Sequence, residues 1–157
     1  MAARKKKLSI IASQGTLDLA YPPFILASTA AALGYDVEMF FTSYGIELVK
    51  KTPRLQATAI GNPSMPMPIR LPVLLQAMPG MQSVMTMLIQ QKLKSKGVMS
   101  IEQLRSTCLE SGVKMIACEM TLELFDIDQS ELLDEITIGG VATYLEFAGK
   151  SHISLVI

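Results

Sequence analysis

A three-layer α/β/α sandwich on a mostly parallel sheet of about five strands is the fold this 157-residue chain predicts. Three observations carry the expectation. Short apolar runs alternate with helical stretches along the chain, and turn residues mark each change. Strands separated by helices pair in parallel through right-handed crossovers, which places helices on both sheet faces. The length suits one substantial core, and a composition that is 50% hydrophobic and 18% charged excludes a disordered chain. The expectation is a single domain over 1–157 with a Pro/Met-rich insertion at 53–97.

Lys7 to Ala12 reads as a buried strand. The turn Ser13-Gln14-Gly15-Thr16 follows, with Asp18 as a candidate N-cap and Pro22-Pro23 near the first helical turn, where proline is tolerated. Phe24 to Leu33 are apolar or small, and Gly34 suits the position just past a helix. Asp36 to Thr42 alternates as a second strand, with Val37, Met39 and Phe41 on one face.

The character changes between Pro53 and Gly97. Five prolines lie between Pro63 and Pro79, and seven of the eleven methionines between Met65 and Met99. Asn62 to Pro68 is expected to be an irregular or extended loop, because proline disfavours helix at the residue before it. Beyond Gly80 the stripe Met81, Val84, Met85, Leu88 predicts a helix. Met87, Ile89 and Leu93 widen that stripe beyond what one docking face needs. Ser100 and Gln103 form a capping-box pair for a helix running to about Ser111, before Gly112. Val113 to Cys118 is a strand, and the stretch Glu119 to Phe125 reads as helix. A second short helix is expected around Ser130–Asp134, then a strand Ile136–Ile138 and a turn at Gly139-Gly140. Val141–Ala148 is the last helix and His152–Ile157 the terminal strand.

Several function classes lose support here. The net charge is zero and offers no general case for nucleic-acid binding; the basic cluster Arg4-Lys5-Lys6-Lys7 reads as a solvated tail. Two widely spaced cysteines make no disulfide scaffold and fit a reducing cytoplasm. After the basic cluster only Leu8 to Ala12 are mainly apolar, too short for a signal sequence. No charge falls between Arg70 and Lys92, a length that spans a bilayer in principle. Pro72, Pro79, Gly80 and several polar residues interrupt it, so a surface-buried or subunit-contact segment is expected and a transmembrane span is not. There is no GxSxG, GxGxxG, Walker loop or CxxC. One histidine and two distant cysteines make no ordinary zinc site, and no cofactor or metal is expected.

Cys118 is the candidate site. A thiol at a strand-to-helix junction lies at the carboxyl ends of a parallel sheet, where open α/β folds place their chemistry. Helix N–H groups and Lys114 favour the thiolate there. Glu119 and the stretch to Glu135, seven carboxylates without a Lys or Arg, oppose it. The competing reading is a small core hydrophobe. Cys108 shares a helical stripe with Ile101 and Leu104 and is expected in the core; a resolving thiol or a Cys108–Cys118 disulfide is the alternative. His152 opens the last strand, on the opposite rim from Cys118. Five strand residues separate those rims by roughly 16 Å, which argues against a Cys–His dyad within one chain. Gly15 and Gly139-Gly140 read first as turn residues and second as phosphate cradles. Met65-Pro66-Met67 reads as adaptable apolar surface before a copper(I) site. The acidic stretch is a solvated face or a docking patch for a basic partner.

The leading strand with Ser13-Gln14-Gly15-Thr16-Leu17-Asp18, the Gly61-Asn62-Pro63 loop running into Met-Pro repeats, the segment Gly112 to Thr121, and Gly139-Gly140-Val141-Ala142-Thr143 together resemble the DsrE/DsrF-like proteins. The resemblance covers nearly the whole chain and is most specific around Cys118 and the Pro/Met loop. It implies a small cytoplasmic sulfur-handling protein with a parallel five-stranded sandwich, assembled into homo- or hetero-oligomers. It further implies that a cysteine matching Cys118 carries sulfane sulfur as a persulfide. The exchange partners it implies are TusA-like carriers or rhodanese-like donors, in sulfur oxidation or tRNA thiolation. The leading expectation is therefore a sulfur carrier or sulfurtransferase acting through Cys118, with the Met/Pro segment as a flap or subunit contact. Two other classes stand beside it: a non-catalytic scaffold or binding module using the apolar 63–93 segment, and a Cys108/Cys118 redox sensor.

Overall fold

The computed structural model describes residues 5–57 and 78–157. Strand β1 (Lys7–Ala12) leads through helix α1 (Leu17–Ala32) to β2 (Asp36–Phe41) and a 3₁₀ segment, Ser43–Val49. Helices α2 (Met81–Ser95) and α3 (Ile101–Glu110) precede β3 (Lys114–Cys118) and the short α4 (Glu119–Leu124). A 3₁₀ turn at Gln129–Glu131, β4 (Thr137–Gly139), α5 (Val141–Ala148) and β5 (Ile153–Val156) follow. The strand order is β4-β3-β2-β1-β5, and every pair is parallel. The predicted sandwich is the observed one.

Strand alternation divides the core in two. Val37, Met39 and Phe41 face α1 and α3 together with Leu8, Ile10 and Met115, and the Phe24 and Phe41 rings lie 6.0 Å apart. Residues of the other parity, Phe40, Ile116 and Cys118, pack with Tyr144 of α5 and with the partly buried Ile11 and Ala148. One face thus carries a large core and the other a small one.

Local signals hold at several joints. Ser100 and Gln103 form both bonds of the capping box. Gly34 and Gly112 adopt positive φ, +83° and +79°, where a glycine avoids the Cβ clash that other residues suffer. Elsewhere the structure differs. Thr16, not Asp18, is the N-cap of α1, because the helix begins at Leu17, whose N–H donates to the Gln56 carbonyl. Pro22 and Pro23 consequently lie inside the helix rather than in its first turn. The expected helix at Ser130–Asp134 is a single 3₁₀ turn, capped by Asp128. The stripe on α2 is not a buried face: Met85 is buried, whereas Val84 and Leu88 are exposed, as is Met87. α2 is anchored instead by polar bonds, since the Ala57 N–H donates to Thr86 Oγ1 and Gln82 Nε2 donates to the Ala57 carbonyl. The Asn62–Pro68 loop and Met65-Pro66-Met67 lie outside the described residues. Among the described residues no helix is long and apolar enough to cross a membrane.

Candidate functional site

Cys118 ends β3 and is at the same time the N-cap of α4, with extended backbone at φ −69°, ψ 114°. The strand brings it there with its side chain on the α5 face, level with Gly139 of β4. β2 runs alongside in parallel, with Phe41 paired to Ala117. Thr42, the next residue, therefore falls beside Cys118. Thr121 returns from the third position of α4, the place from which a helix reaches back to its cap. The Thr42 and Thr121 hydroxyls are 3.1 Å apart, and the Ser43 N–H donates to Thr121 Oγ1 at 3.2 Å. Ser43 achieves this from the left-handed region, φ +50°, a conformation that is costly for a side chain larger than glycine's. Because Thr121 Oγ1 accepts from Ser43, its own proton is free for Thr42 or for the sulfur.

This arrangement shifts the acidity of the thiol. Burial pushes the Cys118 thiol up, since only 1% of the residue is exposed. The Thr121 hydroxyl and N–H, the Thr42 hydroxyl and the Met120 N–H together outweigh burial, and the thiol lies below its usual range. The helix N–H groups do not form a cap bond to the sulfur of ordinary length and angle; they act on the anion by proximity. The contest between Lys114 and the acidic stretch is decided by neither. Lys114 sits at the far end of β3, about 13 Å away at strand spacing, and is paired in register with Glu38. No carboxylate contributes to the Cys118 shift. What the sequence reading missed is the threonine pair. Its signal was available: a Cys-x-x-Thr spacing at a helix start, and a threonine just past the neighbouring strand.

The other candidates fall elsewhere. Cys108 is fully buried in the main core, where Sγ donates to the Phe24 carbonyl at 3.5 Å and burial pushes the thiol up to about 11. The sheet lies between the two free thiols, one in each core, so a disulfide between them does not fit this fold. His152 accepts the Lys7 N–H on Nδ1 at 3.0 Å, on the rim opposite Cys118. Gly15 is required by close packing, because a Cβ there would overlap the Tyr44 carbonyl oxygen. Gly139 packs on Ile116, and open space surrounds Gly140. Among the described residues no group of three or more His, Cys, Asp or Glu is placed to hold a metal ion. The acidic stretch borders a shallow depression of about 420 Å³ that includes Glu119, Glu123, Asp126 and Asp128. A larger cleft of about 950 Å³ opens beside Tyr44, Lys50, Arg54 and Phe125.

Comparison with known proteins gives the family. The model of the DsrE/DsrF/DrsH-like family matches residues 4–156. A sulfur carrier protein, DsrE2, from Allochromatium vinosum is 58% identical over 98% of this chain and 99% of its own length. The uncharacterized protein YrkE of Bacillus subtilis is 29% identical over the full length of both chains. Among solved structures, the ychN protein from E. coli superposes with a TM-score of 0.56, covering 98% of this chain and 100% of its own, at 11% identity. That last likeness is one of fold. With its parallel sheet, its rim cysteine and a family match from one end to the other, the chain belongs to the DsrE/DsrF/DrsH-like family.

Proposed function

We propose that this chain is a sulfur carrier that holds sulfane sulfur as a persulfide on Cys118. The observation that carries the reading is the donor set around Cys118, in which neutral hydroxyl and N–H groups favour the thiolate of a buried cysteine. The name of the 58% identical relative supports the same role. The thiolate attacks the outer sulfur of a donor R–S–SH; the donor's S–S bond breaks and R–S⁻ leaves, giving Cys118–S–SH. An acceptor thiolate then takes the terminal sulfur, and the Cys118 thiolate is the leaving group. Each step exchanges one S–S bond for another, so no outside oxidant or reductant is needed. The two hydroxyls that stabilise the attacking anion also stabilise the departing one, which suits a carrier that both takes and gives. Small TusA-like or rhodanese-like proteins are the partners that fit this exchange, in a reducing cytoplasm, with the chain assembled as a homo-oligomer.

Mass spectrometry after incubation with polysulfide tests it. The expected result is a gain of one sulfur atom, kept in Cys108→Ser and absent in Cys118→Ser. An unmodified wild-type protein, or an adduct that survives Cys118→Ser, overturns the reading.

A further inference from the structure

A sulfur that must meet a partner is sealed in this chain: Cys118 is 1% exposed. It packs with Phe40, Ile116 and Tyr144, whose ring lies 5.1 Å from that of Phe40. Tyr144 is the one side chain that α5 buries, while Val141 and Leu145 on the same helix are exposed. By contrast, α1 buries six residues in the opposite core. Glycines flank α5 at its N-cap, Gly140, and its C-cap, Gly149. Its first turn is closed in 3₁₀ fashion, with the Gly140 carbonyl accepting from the Thr143 N–H at 3.1 Å and only at a long 3.4 Å from the Tyr144 N–H.

A second observation points the same way. Glu38 lies on the α5 face, between Ser9 and Lys114 in register, and is buried to 6% exposure. Its Oε1 has no hydrogen-bond partner. The Ser9 hydroxyl, on the residue paired with Glu38, donates instead to Ser154 Oγ at 2.7 Å. A buried carboxylate oxygen without a protein partner is a standing cost of the closed arrangement, and opening that face to solvent removes it.

We propose that α5 is a lid, latched over Cys118 by the Tyr144 ring, which lifts at its glycine ends to present the thiol for exchange. Glu38 biases the lid toward opening. The inference rests on Cys118 being the working thiol, but its test uses alkylation instead of sulfur transfer, so either idea can fail alone.

Full-length protein is treated with iodoacetamide at a pH that ionises the thiol in every variant, and labelling is mapped to each cysteine. Tyr144→Ala is expected to speed Cys118 labelling by more than about tenfold, because the latch is lost. Tyr144→Phe stays within about twofold, since the ring and not the hydroxyl seats the helix. Glu38→Met removes the unpartnered oxygen and slows labelling severalfold. Cys108 reports global unfolding and must stay unlabelled in each variant. If Tyr144→Ala exposes Cys108 as well, the Glu38→Met result decides: slower labelling supports the lid, and an unchanged rate overturns it. Wild-type Cys118 reacting as fast as a short peptide thiol also overturns it.

Discussion

Replacing Thr121 by valine removes one hydroxyl and keeps the shape of the side chain. In the folded chain that hydroxyl accepts from the Ser43 N–H at 3.2 Å, lies 3.1 Å from Thr42 Oγ1, and is the first of the groups that favour the Cys118 anion. A hydrogen bond to a charged group is worth about 1.5–3 kcal/mol, and the diffuse charge of sulfur puts this one near the lower end. Losing about 1.4 kcal/mol lowers the thiolate population about tenfold at any pH where the thiol form predominates. Burial, which opposes ionisation, then acts with one fewer counterweight. The assay is the rate of iodoacetamide capture against pH in a Cys108→Ser background. The expected profile is displaced to higher pH, about tenfold slower where the thiol form predominates, and converges with the parent once both thiols are ionised. Stability also falls by about 1 kcal/mol, because the Ser43 N–H loses its acceptor. Superimposable profiles for the two proteins would show that the hydroxyl does not hold the anion, and the account of the site would fail.

Other outcomes follow from neighbouring features. Burial, reinforced by Asp36, holds the Glu38 carboxyl above its usual range against the pull of Lys114 and Lys7. The native state then keeps its proton more tightly than the unfolded chain, so stability falls as pH rises from the unfolded value through the native one. Glu38→Gln should therefore match the parent below about pH 3 and exceed it by about 1 kcal/mol or more at neutral pH in urea titrations. Cys108, pushed up to about 11 and fully buried, should resist alkylation at pH 8 until denaturant is added, as peptide mapping will show. Gly15→Ala forces a methyl into the Tyr44 carbonyl and should cost about 1–3 kcal/mol by urea denaturation.

Much of the architecture was legible because its signals are local. The Ser100–Gln103 capping box, the glycines at 34 and 112, and the strands at Lys7 and Val113 depend on residues a few positions apart. The errors arose where a remote contact moves a boundary. α1 starts early because the Gln56 carbonyl receives the Leu17 N–H, a partner 39 positions away that no capping rule anticipates. The α2 stripe has the right period for a buried face, yet Val84 and Leu88 remain exposed because polar bonds through Thr86 and Gln82 orient the helix.

The cysteine at the strand end could be read from residue order alone, since a nucleophile between an apolar run and a helix start has one place to go in a parallel sheet. Its protonation could not. Charge depends on which atoms lie within a few ångströms, and Thr42 reaches Cys118 through strand pairing across 76 positions of chain. Linear proximity pointed to Glu119 and Lys114; folding set both aside and delivered a threonine instead. Burial is equally non-local: Tyr144 joins the cysteine's cluster from the helix that follows β4, together with Phe40 of β2. Residue order placed the sulfur on the rim, and packing in three dimensions decided that its ionisation is favoured and that it is covered.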